Sequence, residues 1–216
     1  MNIPSIDDEL RGVPAGSLIM LEGSPLSYAN LVARVILSSR STLGERSTYF
    51  VLDEDYDDVR DSMSSLGLRI YAFEASGVWF FMGREDKPLG ESFNEYLKRI
   101  EEGDWTCVDT FSTLVNSLCK DDRELMQLIS DFKDASRVGG GLHFLIVIPA
   151  MHVPRQLSII RNMADMVIKV SYKESGNSYV RYLKVVKSKR RPHQGLIVPF
   201  SITRTGIVFE TVTRIA

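Results

Sequence analysis

The chain has 216 residues, with 26 basic and 28 acidic side chains and a formal net charge of −2. With 44% hydrophobic and 25% charged residues it has the composition of an ordinary soluble globular chain, long enough for one sizeable core. The near-neutral balance excludes the overall basic field of a nucleic-acid-binding domain, and no apolar run approaches the ~20 residues needed to span a bilayer.

In chain order, Ser17–Leu21 reads as a first strand, followed by a helix from Asn30 into Ser39 and a second strand at Thr48–Leu52. Asp55–Val59 opens a helix that ends near Leu66-Gly67, glycine being a common residue just past a helix. Arg69–Phe73 and Val78–Phe81 are short strand candidates. Glu91–Glu101 is an amphipathic helix with Phe93, Leu97 and Ile100 on one side. Trp105–Val108 is the next strand and Asp121–Arg137 the next helix. Gly139-Gly140-Gly141 then breaks the chain before the buried central strand Leu142–Ile148. Alternation of this kind predicts a mostly parallel sheet flanked by helices. After Asp165 the pattern changes to four strands, Val167–Tyr172, Tyr179–Val186, Ile197–Ile202 and Ile207–Thr211, with short turns that suit antiparallel neighbours. One domain over residues 1–216 is expected, a parallel α/β core over about 1–165 with antiparallel strands over about 166–216.

Between the first strand and its helix, Gly23-Ser24-Pro25-Leu26-Ser27-Tyr28-Ala29-Asn30 stands where a phosphate-binding G-x-x-x-x-G-K-[ST] loop would. Counted from Gly23, the second glycine falls on Tyr28, the lysine on Ala29 and the hydroxyl residue on Asn30. In the working motif the lysine meets the β- and γ-phosphates, the hydroxyl holds magnesium, and the glycines let backbone N–H groups approach. Ala29 brings no charge. Tyr28 puts a ring where a glycine leaves room and resists a left-handed conformation, so phosphate is expected to be crowded out. Asn30 keeps an oxygen for a metal, but helix capping is the expectation for it.

The surroundings extend the pattern. Ile6–Ser17 resembles the opening D-x-L-L-G-G-G-I-P-x-G-S of the KaiC-like branch of the RecA ATPase superfamily, a family numerous in archaea. Tyr49–Glu54 resembles its second strand with paired acids. Thr106–Thr110, with Leu114 beyond, resembles the Walker B strand. Val185–Lys189 with His193 resembles K-x-R-x-x-x-H, and Pro199–Thr203 with Gly206–Val208 is nearly literally P-F-x-I-T-x-x-G-I-V. The reduced cysteines, the start without leader character and the lack of a long apolar run give the expectation of a cytoplasmic protein. The resemblance implies a RecA-like P-loop NTPase fold and a habit of forming rings.

It also implies roles. The residue matching Asp53 or Glu54 would activate water, and Asp109 would organise magnesium if magnesium is bound. The residues matching Lys187 and Lys189 reach a neighbour's nucleotide in hexameric relatives. The run Asp53-Glu54-Asp55, with Asp57 and Asp58, equally suits a helix N-terminus, and Asp109 equally suits capping of a turn. Lys187, Lys189, Arg190 and Arg191 could form a patch for nucleic acid or an acidic partner, or a solvated turn. Pro149-Ala150-Met151 stands where many relatives sense the γ-phosphate with a polar residue. The aromatics Trp79, Phe80 and Phe81 suit an interface or a core strand equally. Cys107 and Cys119 read as reduced thiols, the start MNIPSIDDEL has no leader character, and the histidines lack zinc-ligand spacing.

The expectation from these residues is an inactive ATPase homologue with no cofactor. It would regulate or assemble through a protein partner, such as an active ATPase or another copy of itself. Two alternatives stay open: a slow ATPase that binds ATP and magnesium through Asp53, Glu54, Asp109 and a neighbour's Lys187, and a recombinase paralogue that binds DNA through Lys187–Arg191.

Overall fold

The computed structural model describes residues 13–84, 87–175, 178–189, 197–203 and 206–209. The opening motif at 6–12, Arg190, Arg191, His193 and the end of the last expected strand lie outside the described residues.

The described residues form nine strands: β1 (Ser17–Glu22), β2 (Ser47–Val51), β3 (Trp79–Gly83), β4 (Trp105–Asp109), β5 (Leu142–Val147), β6 (Met166–Ser175), β7 (Ser178–Ser188), β8 (Ile197–Thr203) and β9 (Gly206–Phe209). They make one sheet in the order β3-β2-β4-β5-β1-β6-β7-β8-β9. Neighbours from β3 to β6 run parallel, with Ser17 opposite Leu142 and Ile19 opposite Met166. From β6 onward the pairs are antiparallel. A mostly parallel sheet with antiparallel C-terminal strands is therefore what the sequence pattern foretold.

Among the described residues, seven helices flank it: α1 (Ala29–Thr42), α2 (Tyr56–Ser65), α3 (Ile70–Ala75), α4 (Leu89–Glu101), α5 (Phe111–Leu118), α6 (Asp122–Gly139) and α7 (Pro154–Met163). Because successive strand residues point to opposite faces, each central strand feeds two cores. Ile19, Leu21, Tyr49, Val51, Cys107, Phe144 and Ile146 meet α1, α2 and α3 on one side. Leu18, Met20, Phe50, Val108, Leu145 and Val147 meet α4, α5, α6 and α7 on the other. Being covered twice, β1 and β5 are buried at every residue, which is why they read as largely apolar runs, with Ser17 and Glu22 at the ends of β1 and His143 in β5 as the polar exceptions.

Three elements differ from expectation. Residues 69–73 are not a strand: Ile70 and Phe73, both buried, are three apart, the spacing of one helical face, and they seat α3 against the core. Helix α5 was not foreseen, although Phe111, Leu114 and Val115 share one buried face and Thr110 caps it by accepting from the Thr113 N–H. Helix α7 also went unread, with Pro154 in its first turn and Ile160 in the core. Of the aromatic strand, Trp79 is core and Phe81 packs against it, while Phe80 is partly exposed. Trp79 is buried in stacking contact with Tyr49, Phe81 lies among Tyr49, Tyr56 and Trp79, and Phe80 lies under the Arg99 guanidinium.

Candidate nucleotide-site remnant

The carboxyl ends of β1, β2, β4 and β5 bring together Gly23, Ser24, Pro25, Ala29, Asn30, Asp53, Glu54, Asp109 and Thr110. With Ile146 and Ile148 they line a cavity of about 210 Å³. This is where open α/β sheets hold their ligands. It is smaller than the roughly 300–1,000 Å³ of ordinary small-molecule sites.

The loop over it is a tight turn. Pro25–Ser27 forms a single 3₁₀ turn in which the Ser27 N–H donates to the Ser24 carbonyl at 2.9 Å and the Tyr28 N–H to the Pro25 carbonyl at 3.2 Å. The Ser27 hydroxyl is fully buried and also donates to the Ser24 carbonyl, at 2.6 Å. A Cβ at Gly23 would lie 2.2 Å from Ser27 Oγ and 2.9 Å from the Val170 carbonyl. The surviving glycine thus has a packing reason independent of phosphate.

Tyr28 and Asn30 depart from expectation. Tyr28 does take the left-handed conformation, at φ 60°, and is itself the residue before the first turn of α1. Its ring does not line the cavity. It is 40% exposed and turned toward Arg181, whose guanidinium lies 4.7 Å from the ring centre. Asn30 is not the helix cap: it lies one residue inside α1, where its Oδ1 accepts from the Leu31 N–H.

Beneath the loop is a residue that sequence reasoning passed over as part of an apolar run. Arg34 is one turn beyond Asn30 on α1 and only 3% exposed. Its Nη2 donates to Asp109 Oδ2 and to Glu54 Oε1, each at 3.0 Å. Its Nε donates to the Tyr49 hydroxyl at 3.0 Å, and that hydroxyl donates to the same Asp109 oxygen at 2.5 Å. Burial works against the charge on Arg34, but Tyr49, Asp109 and Glu54 around it raise its pKa further. Burial pushes the Asp109 carboxyl up from its ordinary value, against the pull of Arg34 and of the Tyr49 hydrogen bond. Burial likewise drives Tyr49 and Cys107 well upward. Asp109 caps no turn. A signal for Arg34 did exist, since a lone arginine inside an apolar helical stretch needs a buried anionic partner.

Asp53 is placed apart from this cluster, accepting from the Thr110 and Thr113 hydroxyls at 2.9 and 3.0 Å. Asp55 precedes α2, and Asp57 in its first turn pairs with Arg60. At the end of β5, the Ile148 N–H donates to Ser112 Oγ, which also contacts His152 Nε2 at 2.8 Å.

The lysines expected to reach a neighbour are engaged within the chain. Lys187 Nζ donates to the carbonyls of Arg161, Asn162 and Ala164 at 2.6, 2.8 and 2.8 Å, closing the C-terminal end of α7. Lys189 Nζ donates to the Met163 carbonyl and to Asp165. Positive side chains there complement the free carbonyls of a helix end. Of the basic stretch, these two residues are described, and both are helix caps.

A model described as "Family of unknown function (DUF7125)" matches residues 2–208. No curated protein matches the sequence. Among solved structures, the chain is similar to the flagellar accessory protein FlaH of the archaeon Methanocaldococcus jannaschii, with a TM-score of 0.79 and 21% identity. The similarity covers 98% of this chain and 97% of that one. It is similar as well to the KaiC-like protein PH0186 of the hyperthermophilic archaeon Pyrococcus horikoshii OT3, with a TM-score of 0.76 and 20% identity over 93% of this chain and 92% of that one. The fold is thus RecA/KaiC-like, as the motifs in order along the chain implied.

Proposed function

The chain belongs to this family of unknown function, DUF7125, and we propose that it is a RecA/KaiC-like protein without ATPase activity that works by binding other proteins, as a regulatory or assembly factor. One observation carries the reading. The Asp109 carboxylate, which would organise magnesium in an active relative, is buried against the guanidinium of its own chain's Arg34 and the hydroxyl of Tyr49. The positive charge that a metal ion would bring to Asp109 and Glu54 is already supplied by a side chain.

The loop supports the same reading, because its Ser27 and Tyr28 N–H groups donate within the turn and Ala29 supplies no charge. The residues present therefore do not fit a magnesium nucleotide. A fold shared with a protein named as a flagellar accessory factor is in keeping with a role in assembly.

The test is calorimetric titration of the purified protein with ATP and with ADP in the presence of magnesium, beside a sensitive phosphate-release assay. The expected result is neither binding heat nor phosphate release up to millimolar nucleotide. Micromolar binding would overturn the reading.

A further inference from the structure

We propose that the groove between the N-terminal half of α4 and the first turns of α6 is a docking site for a basic amphipathic segment of a partner protein. The groove encloses about 500 Å³. Its floor is apolar, with Phe93 from α4 and Leu128 from α6, and Cys119, just past α5, is part of its lining. Its rim carries Glu91, Glu124 and Asp131. On α6, Glu124, Leu128 and Asp131 follow the i, i+4, i+7 spacing of one helical stripe, so a carboxylate stands on either side of an apolar centre.

Among the described residues, no lysine, arginine or histidine lines this groove. Surfaces that only need to stay soluble intersperse both signs, whereas here one sign surrounds an apolar floor. The half-buried thiol of Cys119 registers the effect: burial, then Glu124 and Asp121, push it up to about 11.

Charge complementarity selects the occupant. A helix with one apolar side chain on the floor and lysine or arginine a turn away would lay its aliphatic stems along the groove and bring its cations to the rim. Nucleic acid is disfavoured by sign. The inference names a partner surface for the protein-binding role proposed above and rests on that reading for its biological use. Among the described residues the groove shares none with the nucleotide-site cavity, so the two can fail separately.

The experiment uses the whole chain without nucleotide and a fluorescein-labelled, 14-residue amphipathic peptide of leucine and lysine. Fluorescence anisotropy is expected to give binding in the micromolar range, weakened at least tenfold by Glu91→Lys with Asp131→Lys and weakened further by 0.5 M salt. Of the chain's two thiols, Cys107 is fully buried, so iodoacetamide reports on Cys119. Peptide is expected to slow that alkylation several-fold, while an all-polar peptide of equal charge does not. Circular dichroism shows whether the variant is folded, and Glu91→Lys alone, with a several-fold loss expected, serves if the double variant is not. Absence of peptide binding overturns the proposal, as does binding that ignores the substitutions or leaves Cys119 unprotected. Concentration-dependent protection of Cys119 without peptide would make a second copy the occupant and overturn it as well. Nucleotide binding, the failure of the earlier reading, would leave Cys119 alkylation unchanged.

Discussion

Arg34 Nη2 donates to Asp109 Oδ2 at 3.0 Å across 75 residues of sequence, joining the helix after the Gly23–Asn30 loop to the end of β4. Both side chains are almost fully buried, and Tyr49 bridges them by accepting from one and donating to the other. Several consequences can be measured.

Removing one partner of a buried ion pair strands the other charge, at a cost of about 3–5 kcal/mol. Arg34→Met should therefore destabilise the protein by that amount in urea unfolding. Arg34→Met with Asp109→Asn should cost well under the sum of the two single substitutions. Simple additivity would show that the pair is not coupled.

Restoring the loop alone should not restore nucleotide binding. With Tyr28→Gly, Ala29→Lys and Asn30→Thr in place, Arg34 still engages Asp109, and calorimetry with magnesium-ATP should stay silent. Adding Arg34→Ser to these three should bring magnesium-dependent binding. Heat from the loop-only variant would mean that Arg34 is no obstacle.

His143 is fully buried beside Thr106, and burial lowers its pKa from 6.5 to about 4. Between those values the unfolded chain binds a proton that the folded chain does not, so stability should rise with pH through this window. From pH 6.5 down to pH 4 the loss should approach about 3 kcal/mol. Denaturation curves of the wild type and of His143→Gln, recorded from pH 4.5 to 7.5, should diverge toward acid. Parallel curves would remove His143 as the cause.

Lys187 should matter to stability rather than to a neighbour's ligand. Lys187→Met leaves three carbonyls at the end of α7 without their ammonium donor, a loss of about 1–3 kcal/mol. Hydrogen exchange should speed up in the last turn of α7. Unchanged exchange and stability would instead point to a lysine kept for another task.

Much of the fold was open to reading because its determinants are local. Double burial made β1 and β5 largely apolar runs, and the Gly139-Gly140-Gly141 break marked the entry to β5. The short elements were harder. Six residues of α3 with buried Ile70 and Phe73 carry too few helical turns to outweigh a strand-like composition, and only contact with the core decides between them. The site was legible in its losses, since Ala29 and Asn30 can be counted off against the motif. It was not legible in its replacements: Arg34 looked like one polar residue in an apolar helix until the fold set it against Asp109.

The sequence by itself determined the order of the strands from β4 onward, the parallel core with its antiparallel extension, and the absence of a lysine at position 29, because periodicity, turn residues and motif spacing are properties of neighbouring positions. Only the tertiary structure decided which charges meet. Arg34 pairs with residues 20 and 75 positions away, Lys187 caps a helix some 25 residues earlier, and Tyr28 turns out to Arg181 rather than into the cavity. A charge can be paired, buried or free with the same flanking sequence. What settles the matter is the dielectric and the partners that distant segments bring to it.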